Sequence, residues 1–410
     1  MVLQVKAEKR ILWCPWQAGE KGKINQCLSL HHPEQARTRA INQDFRQAQT
    51  QTKPKGSHNQ ALMVWPPFDF TVASPPPSPI CVPPQLFQGM TRPLACAGAI
   101  GLALALAGCG GTTTVSGAGA SFPAPIYQRW FQDLANKGVR VNYQSVGSGA
   151  GVRQFISRTV DFGASDVPMK PEEVAKVPQG VVQIPMTAGA IAVAYNHPRC
   201  ELKLSQAQLV GIFQGKIDNY SQLGCPAKPI NVVVRADGSG TTANFTAHLA
   251  AIDPTWRQQV GAAKSVKWPV GTAAKGNEGV AAQLRQVDGG VGYVEAAFVK
   301  TPMQAAALTN ASGKTVLPTA ESEQEALASI DLGADLIGSN PNPKAGYPIV
   351  TFSWILLYKT GNGSRHDTII KVFNHTLSES AQALSGELGF IRLPDSVLEK
   401  GRAALATVQP

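Results

Sequence analysis

The chain has 410 residues, 43% of them hydrophobic and 16% charged, enough to bury a large core and to form two domains. Its formal charge of +10 is unevenly spread: residues 1–108 hold 11 Lys and Arg against 5 Asp and Glu, leaving 26 against 22 from Cys109 onward. So small a surplus excludes nucleic-acid binding as a default function.

Residues 1–89 lack sustained periodicity, and residues 66–84 contain eight prolines in nineteen positions. This part reads as a disordered leader, or as sequence upstream of the true start. Met90-Thr91-Arg92 makes a weakly positive n-region. The apolar run after it is too short to span a bilayer and ends in Leu106-Ala107-Gly108-Cys109. That ending resembles the bacterial lipobox. Residues 90–108 would then be a lipoprotein signal peptide, Cys109 the lipidated first residue, and residues 109–116 a flexible tether. The plain alternative is a buried hairpin of small residues. Of the seven cysteines, two lie beyond Cys109, namely Cys200 and Cys225. An even pair in an exported chain suggests a disulfide. His197, His248, His366 and His375 are scattered and none pairs with a cysteine at ligand spacing, so no metal site is expected.

Residues 117–125 lead into a helix whose apolar face is Tyr127, Trp130, Phe131 and Leu134, with Ser121 placed where a cap belongs. A strand over 140–144 runs into Gly147-Ser148-Gly149-Ala150-Gly151, and Val152, Phe155 and Ile156 begin another helical face. Residues 160–168 read as a short strand and a turn, in which Asp166 either caps the turn or points into a cleft. Strands are expected over 181–184 and 188–195, a helix over 204–213, and a β-branched strand over 230–234.

Next comes Arg235-Ala236-Asp237-Gly238-Ser239-Gly240-Thr241-Thr242, a strand-to-helix turn. The first N–H groups of a helix are without partners and its dipole favours negative charge. Gly238 and Gly240 allow close approach, and Arg235 supplies a bidentate fork. The turn is either an anion seat or an N-cap with a surface Arg–Asp pair. It is neither a dinucleotide fingerprint nor a P-loop, and position 152 rules the earlier turn out as well. A helix over 280–285, a strand over 290–295, a helix over 321–328, a strand over 349–358 and a helix over 368–377 complete the pattern. Strands alternating with helices define an α/β class with mostly parallel sheets, whose ligands sit at the C-terminal ends of strands.

Eight segments in order, 117–125, 141–151, 161–166, 235–242, 266–271, 275–279, 290–295 and 393–397, resemble the periplasmic phosphate-binding protein of the high-affinity phosphate ABC transporter. The resemblance implies a two-domain periplasmic binding protein fold with a two-strand hinge and the ligand in the interdomain cleft. It divides the chain into 115–187 plus 350–410, and 188–349. It implies phosphate contacts at Ser121, Phe122, Ser148, Asp166, Arg235, Ser239, Gly240 and Thr241, with Asp237 steadying Arg235 or serving as a cap. It further implies a monomer that meets permease subunits, sits outside the cytoplasm on its lipid anchor, and is not an enzyme. Phosphate near neutral pH still carries protons, so Asp166 would accept from it, whereas sulfate offers none. The alternatives are a receptor or sensor for another tetrahedral oxyanion and, last, a phosphatase, which the absence of an activated nucleophile or metal cluster disfavours.

Overall fold

A computed structural model describes residues 114–410. The expected leader and signal peptide, Cys109 and the expected tether as far as residue 113 lie outside the described residues. Residues 114–116, expected in the tether, belong instead to the first strand, β1 (Thr114–Gly119). Thr114 and Val115 are β-branched and suit a strand, and residues 114–116 pair in register with Arg140, Val141 and Asn142.

Beside β1 run β2 (Arg140–Ser145) and β3 (Phe162–Ser165), both parallel to it. Helix α1 (Ala124–Ala135) closes this layer with Ile126, Tyr127, Trp130, Phe131 and Leu134, and α2 (Ser148–Ile156) covers the same strands with Val152 and Phe155. Phe162 packs between Tyr143, Phe131 and Phe373, a cluster of ring contacts at 5.1–6.2 Å.

The two expected strands over 181–184 and 188–195 are one strand, β4 (Val181–Tyr195). Pro185 looked like a break because it has no N–H to give a ladder. The sheet absorbs it as a bulge: Ser353 pairs with Thr187 and Trp354 with Pro185, skipping Met186. Residues 181–190 of β4 pair with the last long strand (Val350–Tyr358), and residues 191–195 pair with the strand Gly290–Glu295. β4 therefore belongs to both halves of the molecule.

The second half holds β5 (Asn231–Arg235), α3 (Gly240–Ile252), β6 (Thr272–Ala274), α4 (Gly276–Gln286) and β7 (Gly290–Glu295). The Val350–Tyr358 strand is β8. The sheet runs β2-β1-β3-β8-β4-β7-β5-β6. It is mixed, as the fold class implied: the two outer pairings on each side are parallel, and the three central ones, β3-β8, β8-β4 and β4-β7, are antiparallel. The chain crosses between halves on β4 and returns on β8, and two crossing strands laid side by side must run in opposite directions. Cys200 and Cys225 form a disulfide with Cα atoms 5.3 Å apart.

Candidate functional site

Five turns at the C-terminal ends of β1, β2, β3, β5 and β6 meet in the cleft between the halves. The backbone there touches directly. Gly149 N–H donates to the Gly238 carbonyl at 2.8 Å, and Gly240 N–H donates to Ser148 Oγ at 3.1 Å. Gly147 has φ of +87°, and a Cβ there would run into the Asp237 carboxylate. At Gly240 a Cβ would lie 2.6 Å from Ser148 Oγ and 2.8 Å from Asp166 Oδ2. Glycine is needed at these positions because the cleft is closed onto them.

Arg235 ends β5 and is 5% exposed. Its Nε and Nη2 donate to the two carboxylate oxygens of Asp237, at 2.9 and 2.5 Å, and Nη1 reaches Thr241 Oγ1 at 3.3 Å. One N–H on each terminal nitrogen then remains for an anion. Asp237 is fixed from a second direction by Gly276 N–H at 2.9 Å. Burial pushes its carboxyl up, but the Arg235 guanidinium and that N–H outweigh burial and hold it below the usual range. The Arg–Asp pair is thus largely buried and not at the surface, and Asp237 also takes the first N–H of α4, serving that helix start from outside its own segment.

Ser239 caps α3: its Oγ accepts from Thr242 N–H at 3.0 Å. Its own O–H is left to donate elsewhere. Among the described residues no acceptor takes the buried N–H of Thr241 or of Phe122. Buried donors without partners are rare, and two in one cleft point to an acceptor group that belongs there.

Asp166, 1% exposed, follows β3. It does not cap the next turn. Its Oδ1 accepts from Ser353 Oγ at 2.9 Å, and its carbonyl accepts from Asn244 Nδ2 at 2.7 Å and Thr351 Oγ1 at 3.1 Å. Burial drives its carboxyl up to about 7, while Ser353, Arg235, Ser148 and Thr241 pull the other way. Ser121 departs from its expected role as well. Helix α1 begins at Ala124 with Pro123 at its cap, because the prolines take over the entry turn. Ser121 Oγ instead accepts from Asn277, through backbone N–H and side-chain Nδ2, both at 2.9 Å.

All eight expected contact residues therefore lie at four of the five strand ends, after β1, β2 and β3 and at and after the end of β5, and Asp237 stands behind Arg235. Sequence reasoning missed Ser353, Thr351, Asn244 and Asn277. Asn277 lay in the 275–279 segment already singled out, so a signal existed. The other three carried none.

The chemistry is that of a dry seat rich in donors: hydroxyls, helix N–H groups and a guanidinium, with one carboxylate among them. Two lobes joined by crossing strands around such a seat define a bilobal solute-binding protein. Residues 107–380 match the model of the PBP superfamily domain. The phosphate-binding protein PstS of Pasteurella multocida is 38% identical over 312 residues, covering 72% of this chain and 90% of that relative. The PstS of Haemophilus influenzae is 40% identical over 304 residues, covering 70% and 90%. The solved structure of a high-affinity periplasmic phosphate-binding protein bound with phosphate superposes with a TM-score of 0.61 at 21% identity, over 71% of this chain and 93% of that one. The chain belongs to the family of the phosphate-binding protein PstS.

Proposed function

We propose that the protein binds inorganic phosphate outside the cytoplasmic membrane and delivers it to the permease subunits of an ABC transporter. In this reading it is a monomer, not an enzyme, and a lipid on Cys109 holds it to a bacterial membrane. Its lobes, residues 115–187 with 350–410 and residues 188–349, turn about β4 and β8. Phosphate takes hydrogen bonds from Ser121, Ser148, Ser239 and Thr241, from the N–H groups of Phe122 and Thr241, from Arg235, and from Gly240 N–H once that group turns from Ser148 Oγ.

The observation that carries the reading is the single carboxylate, Asp166, set among donors. An anion with no proton would face it with an unmatched acceptor, at a cost of about 1–3 kcal/mol or more. A protonated phosphate oxygen donates to it instead. Calorimetric titration of phosphate and then sulfate into protein stripped of bound anion tests this. One-to-one phosphate binding with no sulfate response is expected. Equal binding of both would turn the reading into one of a general oxyanion receptor, and binding of neither would end it.

A further inference from the structure

We propose that Asn277 is a positioning residue of the site. It sets the direction of the Ser121 and Thr241 hydroxyls, so that both donate into the seat, and it does so across the closed cleft. The proposal rests on the phosphate-binding reading.

Asn277 is fully buried at the start of α4. Its Oδ1 accepts from the Glu295 backbone N–H at 2.8 Å. A backbone N–H can only donate, so the amide oxygen must face it and the amide nitrogen must face the opposite way. That nitrogen spends its two hydrogens on Ser121 Oγ at 2.9 Å and Thr241 Oγ1 at 3.1 Å. The backbone N–H of Asn277 gives Ser121 Oγ a second bond, and Arg235 Nη1 gives Thr241 Oγ1 a second one.

A hydroxyl has one hydrogen and two lone pairs. With both lone pairs of each hydroxyl engaged, each O–H is committed to donating. In a free site a hydroxyl could turn to accept, and an anion would have to reorient it on binding. Here that orientation is set in advance, which lowers the cost of binding. Ser121 lies on the turn after β1 and Asn277 on the turn after β6, so the Ser121 bonds form only where the lobes meet. Their loss should speed the opening of the cleft more than it slows its closing.

The test measures phosphate affinity and dissociation rate for the full chain and its variants. Asn277→Ala should weaken phosphate binding about tenfold, mostly through a faster dissociation rate. Asn277→Asp keeps the acceptor for Glu295 N–H but replaces the donor by an acceptor that turns both hydroxyls away. It should weaken binding about 100-fold or more. In a Ser121→Ala/Thr241→Val background, Asn277→Ala should change affinity less than threefold, because the groups it orients are gone. An equal loss in both backgrounds would make Asn277 merely structural and overturn the proposal, as would unchanged affinity in Asn277→Ala. Should Asn277→Ala not fold, the uncharged, near-isosteric Asn277→Leu in the same two backgrounds carries the same test. Failure of the unsubstituted protein to bind phosphate would instead remove the underlying reading.

Discussion

Two aspartates border the cleft in opposite conditions. Asp237 meets Arg235 through two oxygens and Gly276 N–H through one of them, and its carboxyl is held below the usual range. Asp166 is more deeply set, 1% exposed against 11% for the Asp237 side chain, and the Arg235 guanidinium near it is already paired with Asp237. Burial wins there, and its carboxyl rises to about 7. The same side chain thus serves as a fixed counter-ion in one place and as a group that still seeks a proton in the other. In the proposed reading, charge comes from one lobe and discrimination from the other.

The comparison breaks most completely if Arg235 is removed. Arg235→Ala takes away the cation and strands Asp237 as a buried charge, a change that typically costs about 3–5 kcal/mol. Phosphate affinity by calorimetry should fall by about two to three orders of magnitude. Gly240→Ala comes next. Its Cβ would press on Ser148 and Asp166, and overpacking of that kind costs about 1–3 kcal/mol. Because those atoms meet across the cleft, affinity should drop while the melting temperature of the empty protein stays close to that of the parent. Asp237→Asn sharpens the contrast. The amide keeps one acceptor for Arg235 but loses the charge, so phosphate binding should weaken by about tenfold, in line with about 1.4 kcal/mol for a charge-assisted bond made neutral. The phosphate-to-sulfate ratio should not move.

The remaining effect is on stability. Burial raises Asp166 to about 7 and Glu323 to about 8, above ordinary values of 3.8 and 4.5. Their contribution is therefore complete below about pH 4 and is lost as pH rises through 7 and 8. Burial lowers His248 to about 4, which acts in the other direction but only below 6.5. Between pH 6.5 and 8.5 these two groups alone should cost the empty protein about 3 kcal/mol of stability by thermal melting, and the buried, raised carboxyl of Glu295 steepens the slope. Asp166→Asn should flatten part of that slope and Asp237→Asn none of it.

Much of the seat was legible because it is local. A strand, a glycine-rich turn and a helix start can be read from adjacent residues, and Ser148, Ser239, Gly240 and Thr241 stand where that pattern puts them. The groups that hold Asp166 could not be read in this way. Ser353 is 187 positions away in sequence, and nothing in a strand of Val, Phe, Trp, Ile and Leu marks one serine as a partner. Ser121 was misjudged as a cap because the prolines beside it satisfy the helix entry without a side chain. Pro185 suggested two strands because sequence cannot foresee a bulge formed against a partner so far along the chain.

The measurement that bears most directly on the central claim is the ratio of phosphate to sulfate affinity in Asp166→Asn against the parent, at a pH above 7 where Asp166 is ionised. An amide can donate to a bare oxyanion, so phosphate binding should weaken, by less than in Arg235→Ala, and the ratio should narrow at least about tenfold, near the lower end of the cost of an unmatched buried acceptor. An unchanged ratio would contradict the claim that Asp166 recognises the proton on the ligand.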